Sequence, residues 1–233
     1  MHAITAPFGF RLEQNAWNTF EGKLGNNQIQ LSLYLFSDGT IKGNYVARNS
    51  VTKNYVEGYS KANALFLHEK NSSAIFKGNL FTDTLDKFEG SWTDSLKNQS
   101  LQFYFTLSAI NWGDFEHRYS DIYGTTDEIE DFMQKVKTAI LTDDKEWIVN
   151  HMHYPTRQVL NKGFTSIDNK QQFLKYYSQI ITTKFKNKIR YDYTTNLFNK
   201  DGEAMLGDGE IWIGNTPTST ENNYNFIILA INN

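Results

Sequence analysis

The chain contains no cysteine and carries only a small excess of negative charge. Without cysteine it can form no disulfide bond, thiolate zinc site or cysteine nucleophile. Its 23 basic and 26 acidic side chains give a net charge of −3 at pH 7. Tight nucleic-acid binding usually depends on a basic excess that neutralises phosphates, so a nucleic-acid partner is disfavoured.

Long hydrophobic runs are also missing. No stretch is apolar over the length that spans a bilayer, so no transmembrane segment is predicted. The first ten residues, MHAITAPFGF, lack the positive and continuous apolar regions of a signal peptide. The compartment therefore stays open: periplasmic or secreted if a signal peptide has been removed, and otherwise cytoplasmic.

The motifs of several enzyme classes do not occur: the chain has no serine-centred elbow, no P-loop and no GxGxxG. Aromatic residues, in contrast, are plentiful, with 17 Phe, 13 Tyr and 5 Trp among 233 residues. Such bulk is not found in disordered chains, because they could not leave it exposed. The length suits one large domain or two domains of ordinary size.

A short pattern built around glycine recurs five times in the first hundred residues. Each copy has an apolar residue, a charged residue and then glycine: Phe20–Leu24, Ile41–Tyr45, Val56–Tyr59, Phe76–Leu80 and Phe88–Trp92. On a strand, the first residue and the glycine share a face. An inward glycine leaves room for a large neighbour and lets the strand coil, as a small closed barrel requires. The repeat thus predicts curvature and does not resemble a catalytic motif.

Strand signals fill the same region. Residues 28–36 and 100–107 alternate between apolar and polar side chains, and turn signals recur about every ten residues. The pattern predicts an all-β antiparallel barrel-like meander of about eight strands over residues 10–110. The many phenylalanines favour an interior filled by side chains, with a lipocalin-like ligand cavity as the alternative.

The second half has a different pattern. Residues 111–125 break the alternation and are interpreted as a connector to an α+β domain at 126–233. Apolar residues at helical spacing predict a helix from Thr126 and a second one from Asp143 or Asp144. A strand in HYPTRQVL and a helix capped by Asp168 follow. The predicted strands of the tail are YDYTTNLF, AMLGDGEIWIG and NYNFIILAIN.

The segments YPTRQ, DNKQQFLKYYSQII, MLGDGEIWIG and IILAIN, in this order after two helices, resemble a subgroup of the NTF2-like, cystatin-like α+β superfamily found in exported bacterial proteins. The resemblance covers residues 126–233 and implies helices packed on a curved antiparallel sheet that encloses a conical pocket. It also implies a possible homodimer, and it suggests a helix for Lys184–Arg190. It implies no single activity, because the fold hosts isomerases, dehydratases and binding modules.

Four residues are the candidate ligand-binding lining of such a pocket: Tyr154, Arg157, Glu210 and Trp212. Arg157 could bind an anionic group with its planar guanidinium. Asp208 or Glu210, with Tyr154, are candidate catalytic residues that could move protons. The alternative is that the glycines around Asp208 form a turn or bulge that leads into the next strand.

His151 and His153 are the candidate metal ligands. On a strand, residues i and i+2 share a face, so both imidazoles could reach one ion. A metal site needs at least a third ligand, and no neighbouring carboxylate has a familiar spacing. The alternative is a helix end, where histidine interacts favourably with the helix dipole. No cofactor is predicted.

The sequence favours a non-enzymatic binding protein that uses the NTF2-like pocket or the barrel surface for a small molecule or a protein partner. One alternative is an isomerase or dehydratase that transfers protons in the pocket. Another is an inhibitor or immunity-type protein that acts through its surface, and it predicts a large exposed aromatic patch.

Overall fold

A computed structural model describes residues 10–160 and 163–233. The chain divides into two compact units, one that ends at Arg118 and one that extends from Tyr119 to Asn233. The division falls inside the segment that the sequence predicts as a connector.

The first unit contains a closed antiparallel barrel of eight strands. Each strand pairs with the next along the chain, and the eighth pairs with the first, as the sequence predicts. The strands are β1 Trp17–Leu24, β2 Asn27–Leu35, β3 Thr40–Ala47, β4 Asn54–Lys61, β5 Ala64–Glu69, β6 Ala74–Thr82, β7 Asp86–Asp94 and β8 Gln99–Asn111.

Aromatic side chains fill the barrel interior. Five phenylalanines are at most 1% exposed: Phe20, Phe76, Phe88, Phe103 and Phe105. The rings of Phe88 and Phe103 have centroids 4.6 Å apart, within the range of favourable aromatic contact. The filled interior that the sequence favours is therefore present.

The repeated glycines lie where neighbouring strands approach most closely. A Cβ added at Gly22, Gly43, Gly58, Gly78 or Gly90 would lie closer than 3.0 Å to a backbone atom of the adjacent strand. Gly22 pairs with Phe105, and Gly90 pairs with Phe103, so glycine stands opposite a large inward ring. The pattern therefore marks the positions where the barrel has no space for a side chain.

Part of the outer surface of the barrel is covered by the segment that follows β8. Phe115 stacks on Trp17 with centroids 5.5 Å apart. Arg118 is 2% exposed, and its guanidinium donates to the hydroxyls of Ser32 (2.8 Å) and Thr19 (3.0 Å). The outward face of β2 and the first half of β1 are buried, whereas Glu21 and Lys23 on β1 and the outward face of β4 remain largely exposed.

The second unit packs helices and small antiparallel sheets around one core. β9 and β10 form a hairpin, and β11 to β14 form a four-stranded meander. Within the described ranges, no helix is both long and apolar enough to cross a bilayer. The elements are α1 Thr126–Thr142, α2 Lys145–His151, β9 Thr156–Leu160, β10 Gly163–Ile167, α3 Lys170–Ile180, α4 Thr183–Ile189, β11 Phe198–Lys200, β12 Glu203–Leu206, β13 Ile211–Asn215 and β14 Phe226–Ile231.

Local capping explains where the helices begin. α1 begins at Thr126 as predicted, because the Thr125 side chain caps it and Glu128 completes a capping box. The predicted cap of α3 is wrong by one residue. Asn169, not Asp168, accepts the backbone N–H of Gln172, at 3.0 Å. The strand β10 extends to Ile167, which leaves Asp168 as the link between strand and helix.

Two predictions for the tail have opposite outcomes. Lys184–Arg190 lies mainly on α4, with Phe185 and Ile189 buried, in agreement with the helix suggested by the resemblance. YDYTTNLF is not a strand: residues 191–197 form a loop, and β11 begins only at Phe198. The loop does not need a strand partner at every position, because side chains of α1 bind several of its polar groups.

Candidate functional site

The predicted catalytic carboxylate Glu210 is committed to a structural contact. It is 3% exposed, accepts the backbone N–H of Asp208 at 2.6 Å and forms an ion pair with Lys188. The contact between Lys188 and the Glu210 carboxylate raises the pKa of the Lys188 ammonium. The flanking Gly207 and Gly209 have positive φ angles of 64° and 101°, which glycine adopts without strain. Glu210 therefore stabilises the turn before β13, which is the alternative that the sequence left open.

The other predicted pocket residues differ in their exposure to solvent. Tyr154 is half-buried against the core of the second unit, and burial raises its pKa to about 12. Trp212 lies half-buried on the face of β13 opposite to the buried Ile211 and Ile213. Arg157 is exposed on β9. Glu210 lies in the turn before β13, whereas Trp212 lies on the strand itself.

The strand geometry on which the metal prediction depends is wrong. His151 is the last residue of α2, and β9 begins only at Thr156. The His151 ring stacks on Trp147 with centroids 3.9 Å apart, and its Nδ1 lies 2.7 Å from the carbonyl oxygen of the same residue. Across residues 10–160 and 163–233, no group of three or more His, Asp or Glu side chains could hold a metal ion.

One concave feature of the barrel lies on the outward face of β4, β5 and β6. Strand register places its side chains in two rows. Glu57, His68 and Ile75 form the first row. Tyr59, Phe66 and Lys77 form the second. We call the depression over these rows the β4–β6 groove. It has a volume of about 490 Å³.

The floor of the β4–β6 groove is aromatic and open to solvent. Tyr59 and Phe66 stack with centroids 5.3 Å apart and an angle of 22° between the ring planes. Tyr59 is 56% exposed and Ile75 is 45% exposed. Tyr55, which precedes Tyr59 on the same face of β4, is also 56% exposed. Exposed aromatic and aliphatic side chains in one contiguous area are typical of an interaction site.

Charged groups flank this apolar floor. His68 Nε2 lies 3.1 Å from a carboxylate oxygen of Glu57 at one side. The Lys77 ammonium lies 5.7 Å from the centroid of the Phe66 ring, over its face. The groove thus presents an apolar surface between a carboxylate and an ammonium group.

A second polar feature lies inside the second unit, on one face of α1. Glu130 accepts the phenol of Tyr119 at 3.0 Å and the backbone N–H of Asn196 at 2.8 Å. Gln134, one turn later, accepts the hydroxyl of Thr194 at 2.6 Å. These contacts hold the loop before β11 on the helix, so the carboxylate beside a tyrosine acts here as an anchor for the loop.

Lys137, the next residue of this face, gives a prediction about pH. Its Nζ donates to the carbonyl of Asp192 at 2.5 Å, and burial lowers its pKa. In the unfolded chain its pKa is about 10.4. Between the lowered folded value and about pH 10.4 the unfolded state binds more protons, so stability contributed by this lysine rises with pH. Urea unfolding should show wild type gaining stability relative to Lys137→Met over this window. A difference that is constant with pH would contradict this.

Comparison of the chain with protein families, curated proteins and solved structures found no match. The function is therefore inferred from the geometry alone.

Proposed function

We propose that the protein is a non-enzymatic binding protein that engages a protein partner at the β4–β6 groove. The observation that carries the proposal is the stacked pair of the exposed Tyr59 and the half-buried Phe66, on the outside of a barrel whose interior is filled. Tyrosine and phenylalanine are enriched in protein interfaces, where they supply large contact areas at low entropic cost.

The apolar floor and the open shape of the groove together favour a protein over a small molecule. A typical ligand pocket encloses most of its ligand, whereas Tyr59 and Ile75 are about half exposed. An open groove of this kind suits one protruding side chain of a partner, with the surrounding surface completing the contact. The Glu57 carboxylate and the Lys77 ammonium favour an apolar or aromatic anchor flanked by a basic and an acidic group.

We also propose that residues 126–233 adopt an NTF2-like fold. In support, the second unit has two helices, a hairpin, two further helices and an antiparallel meander in that order. The backbone N–H of His153 donates to the carbonyl of Ile228 at 2.9 Å, which brings the segment before β9 beside β14. An experimental structure of the full chain with β9 remote from β14 would contradict this assignment.

The two alternative functions have unequal support. An isomerase or dehydratase would need a free carboxylate inside a pocket. The carboxylate of Glu210 is held by Lys188 and by the Asp208 N–H, and Asp208 itself is exposed in the turn. An inhibitor or immunity-type protein would bind through an exposed aromatic patch, and the β4–β6 groove supplies one. This role is a special case of the proposed function, in which the partner is an enzyme or a toxin.

Replacing Tyr59 by alanine tests the proposal. Selection of phage-displayed random peptides on the purified protein should enrich peptides that carry an aromatic or large aliphatic anchor. For the selected peptides, Tyr59→Ala should weaken binding about thirtyfold, since truncation of an interface anchor costs about 2 kcal/mol.

Tyr104→Ala is the matched control, because Tyr104 is equally exposed but lies on β8. It should leave peptide binding unchanged. Peptides whose binding is insensitive to Tyr59→Ala, or equally sensitive to both changes, would contradict the assignment of the groove.

A further inference from the structure

A second cleft on the outside of the barrel has a different chemistry. It lies over β6, β7 and β8 and has a volume of about 510 Å³. We call it the amide cleft. Its described lining residues are Asn63, Asn79, Leu80, Phe81, Glu89, Gly90, Gln102 and Tyr104. The lining thus combines three carboxamides, one carboxylate and the aromatic rings of Phe81 and Tyr104.

The strand register brings the polar groups of the amide cleft into one row. Asn79 pairs with Glu89, and Glu89 pairs with Tyr104, so the three side chains lie side by side on consecutive strands. With strands about 4.8 Å apart, this row extends about 10 Å. Gly90 contributes only its backbone to the lining, because its Cα faces the barrel interior opposite Phe103.

The carboxamides of the cleft are not used by the fold. Within residues 10–160 and 163–233, the side chains of Asn63, Asn79 and Gln102 make no hydrogen bond. Each carboxamide offers two donors and an acceptor, so the cleft can both give and receive hydrogen bonds at several points. Tyr104, which is 56% exposed, adds a flat apolar face beside them.

We propose that the amide cleft binds a neutral oligosaccharide. Sugar hydroxyls are donors and acceptors at once, which matches the carboxamides and the Glu89 carboxylate. The apolar C–H face of a sugar ring can pack on the ring of Tyr104. Glu89 is the only charged group among the described lining residues, and the Lys87 ammonium lies 5.9 Å from the centroid of the Phe81 ring, so the cleft has no excess of charge of one sign and suits a neutral ligand. The length of the polar row fits more than a single sugar unit.

The test is a titration of the full-length, ¹⁵N-labelled protein with cellotetraose, chitotetraose, maltotetraose and mannotetraose, with a heparin tetrasaccharide as the anionic comparison. At least one neutral sugar should shift the side-chain amide signals of Asn63, Asn79 and Gln102 in a saturable manner. Tyr104→Ala should weaken this binding at least tenfold, whereas Tyr59→Ala should not change it. Thermal unfolding of both variants checks that they remain folded.

The proposal is overturned if none of the neutral sugars shifts these signals, if only heparin does, or if Tyr104→Ala leaves the affinity unchanged. The result of the sugar titration is independent of the result of the peptide-binding test, since peptide binding at the β4–β6 groove depends on Tyr59 and not on Tyr104.

Discussion

Replacing Gly58 by alanine is expected to destabilise the barrel by about 3 kcal/mol or more, because overpacking against rigid neighbours is costly. A Cβ at this position would collide with the carbonyl oxygen of Phe66 and lie 2.9 Å from the Cα of Leu67. Both atoms belong to the backbone of β5, which pairs with β4 on one side and β6 on the other. The clash therefore cannot be relieved by rotating a side chain, and two strand pairings would have to shift.

Gly163→Ala provides the control for this prediction. Gly163 also lies on a strand, but a Cβ there would meet no atom within 4 Å. Urea unfolding followed by tryptophan fluorescence should show a large loss of stability for Gly58→Ala and almost none for Gly163→Ala. Equal stability of the two variants would show that the glycine pattern does not determine the curvature of the barrel.

Replacing Glu130 by leucine is expected to cost about 2–6 kcal/mol, because it leaves two buried donors without their acceptor. These donors are the Tyr119 phenol and the backbone N–H of Asn196. Since Tyr119 also accepts the backbone N–H of Leu197 at 2.9 Å, loss of the carboxylate should loosen the loop before β11. Hydrogen exchange should then show faster exchange at residues 196 and 197.

Glu130→Gln separates the hydrogen bonds from the volume of the side chain. Glutamine keeps an acceptor oxygen at the same position, so most of the stability and the slow exchange of the loop should be retained. If the leucine variant were as stable as the glutamine variant, the proposed anchoring role of Glu130 would be wrong.

The barrel could be predicted from the sequence because short stretches of neighbouring residues determine its strands and its curvature. Alternation in β2 and β8 fixes which side chains point inward, and the repeated glycines indicate where strands coil. The same alternation also determines which side chains face outward and line the β4–β6 groove. Val56 and Gly58 face inward, so Tyr59 must face outward. Its position beside Phe66 depends on the pairing of β4 with β5, which is a property of the register.

The second unit was harder to predict because its polar groups have tertiary partners. Glu130 and Lys137 lie next to the apolar stripe of α1 and look like solvated positions in the sequence. They are buried because the loop at 191–197 folds over them, and no local pattern specifies that loop. The surroundings of Glu210 were hard to predict for a related reason. Glu210 is one residue before β13, where it binds Lys188 of α4 instead of a ligand.

The proposed binding surface is tested most directly by a photo-crosslinking amino acid placed at Ile75, beside the stacked rings of Tyr59 and Phe66, in the cells that make the protein. We expect one protein to be crosslinked from this position, and we expect the purified partner to bind wild type about thirtyfold more tightly than Tyr59→Ala. A partner that crosslinks equally from Leu85, an exposed residue between β6 and β7, or that binds Tyr59→Ala as tightly as wild type, would contradict the account.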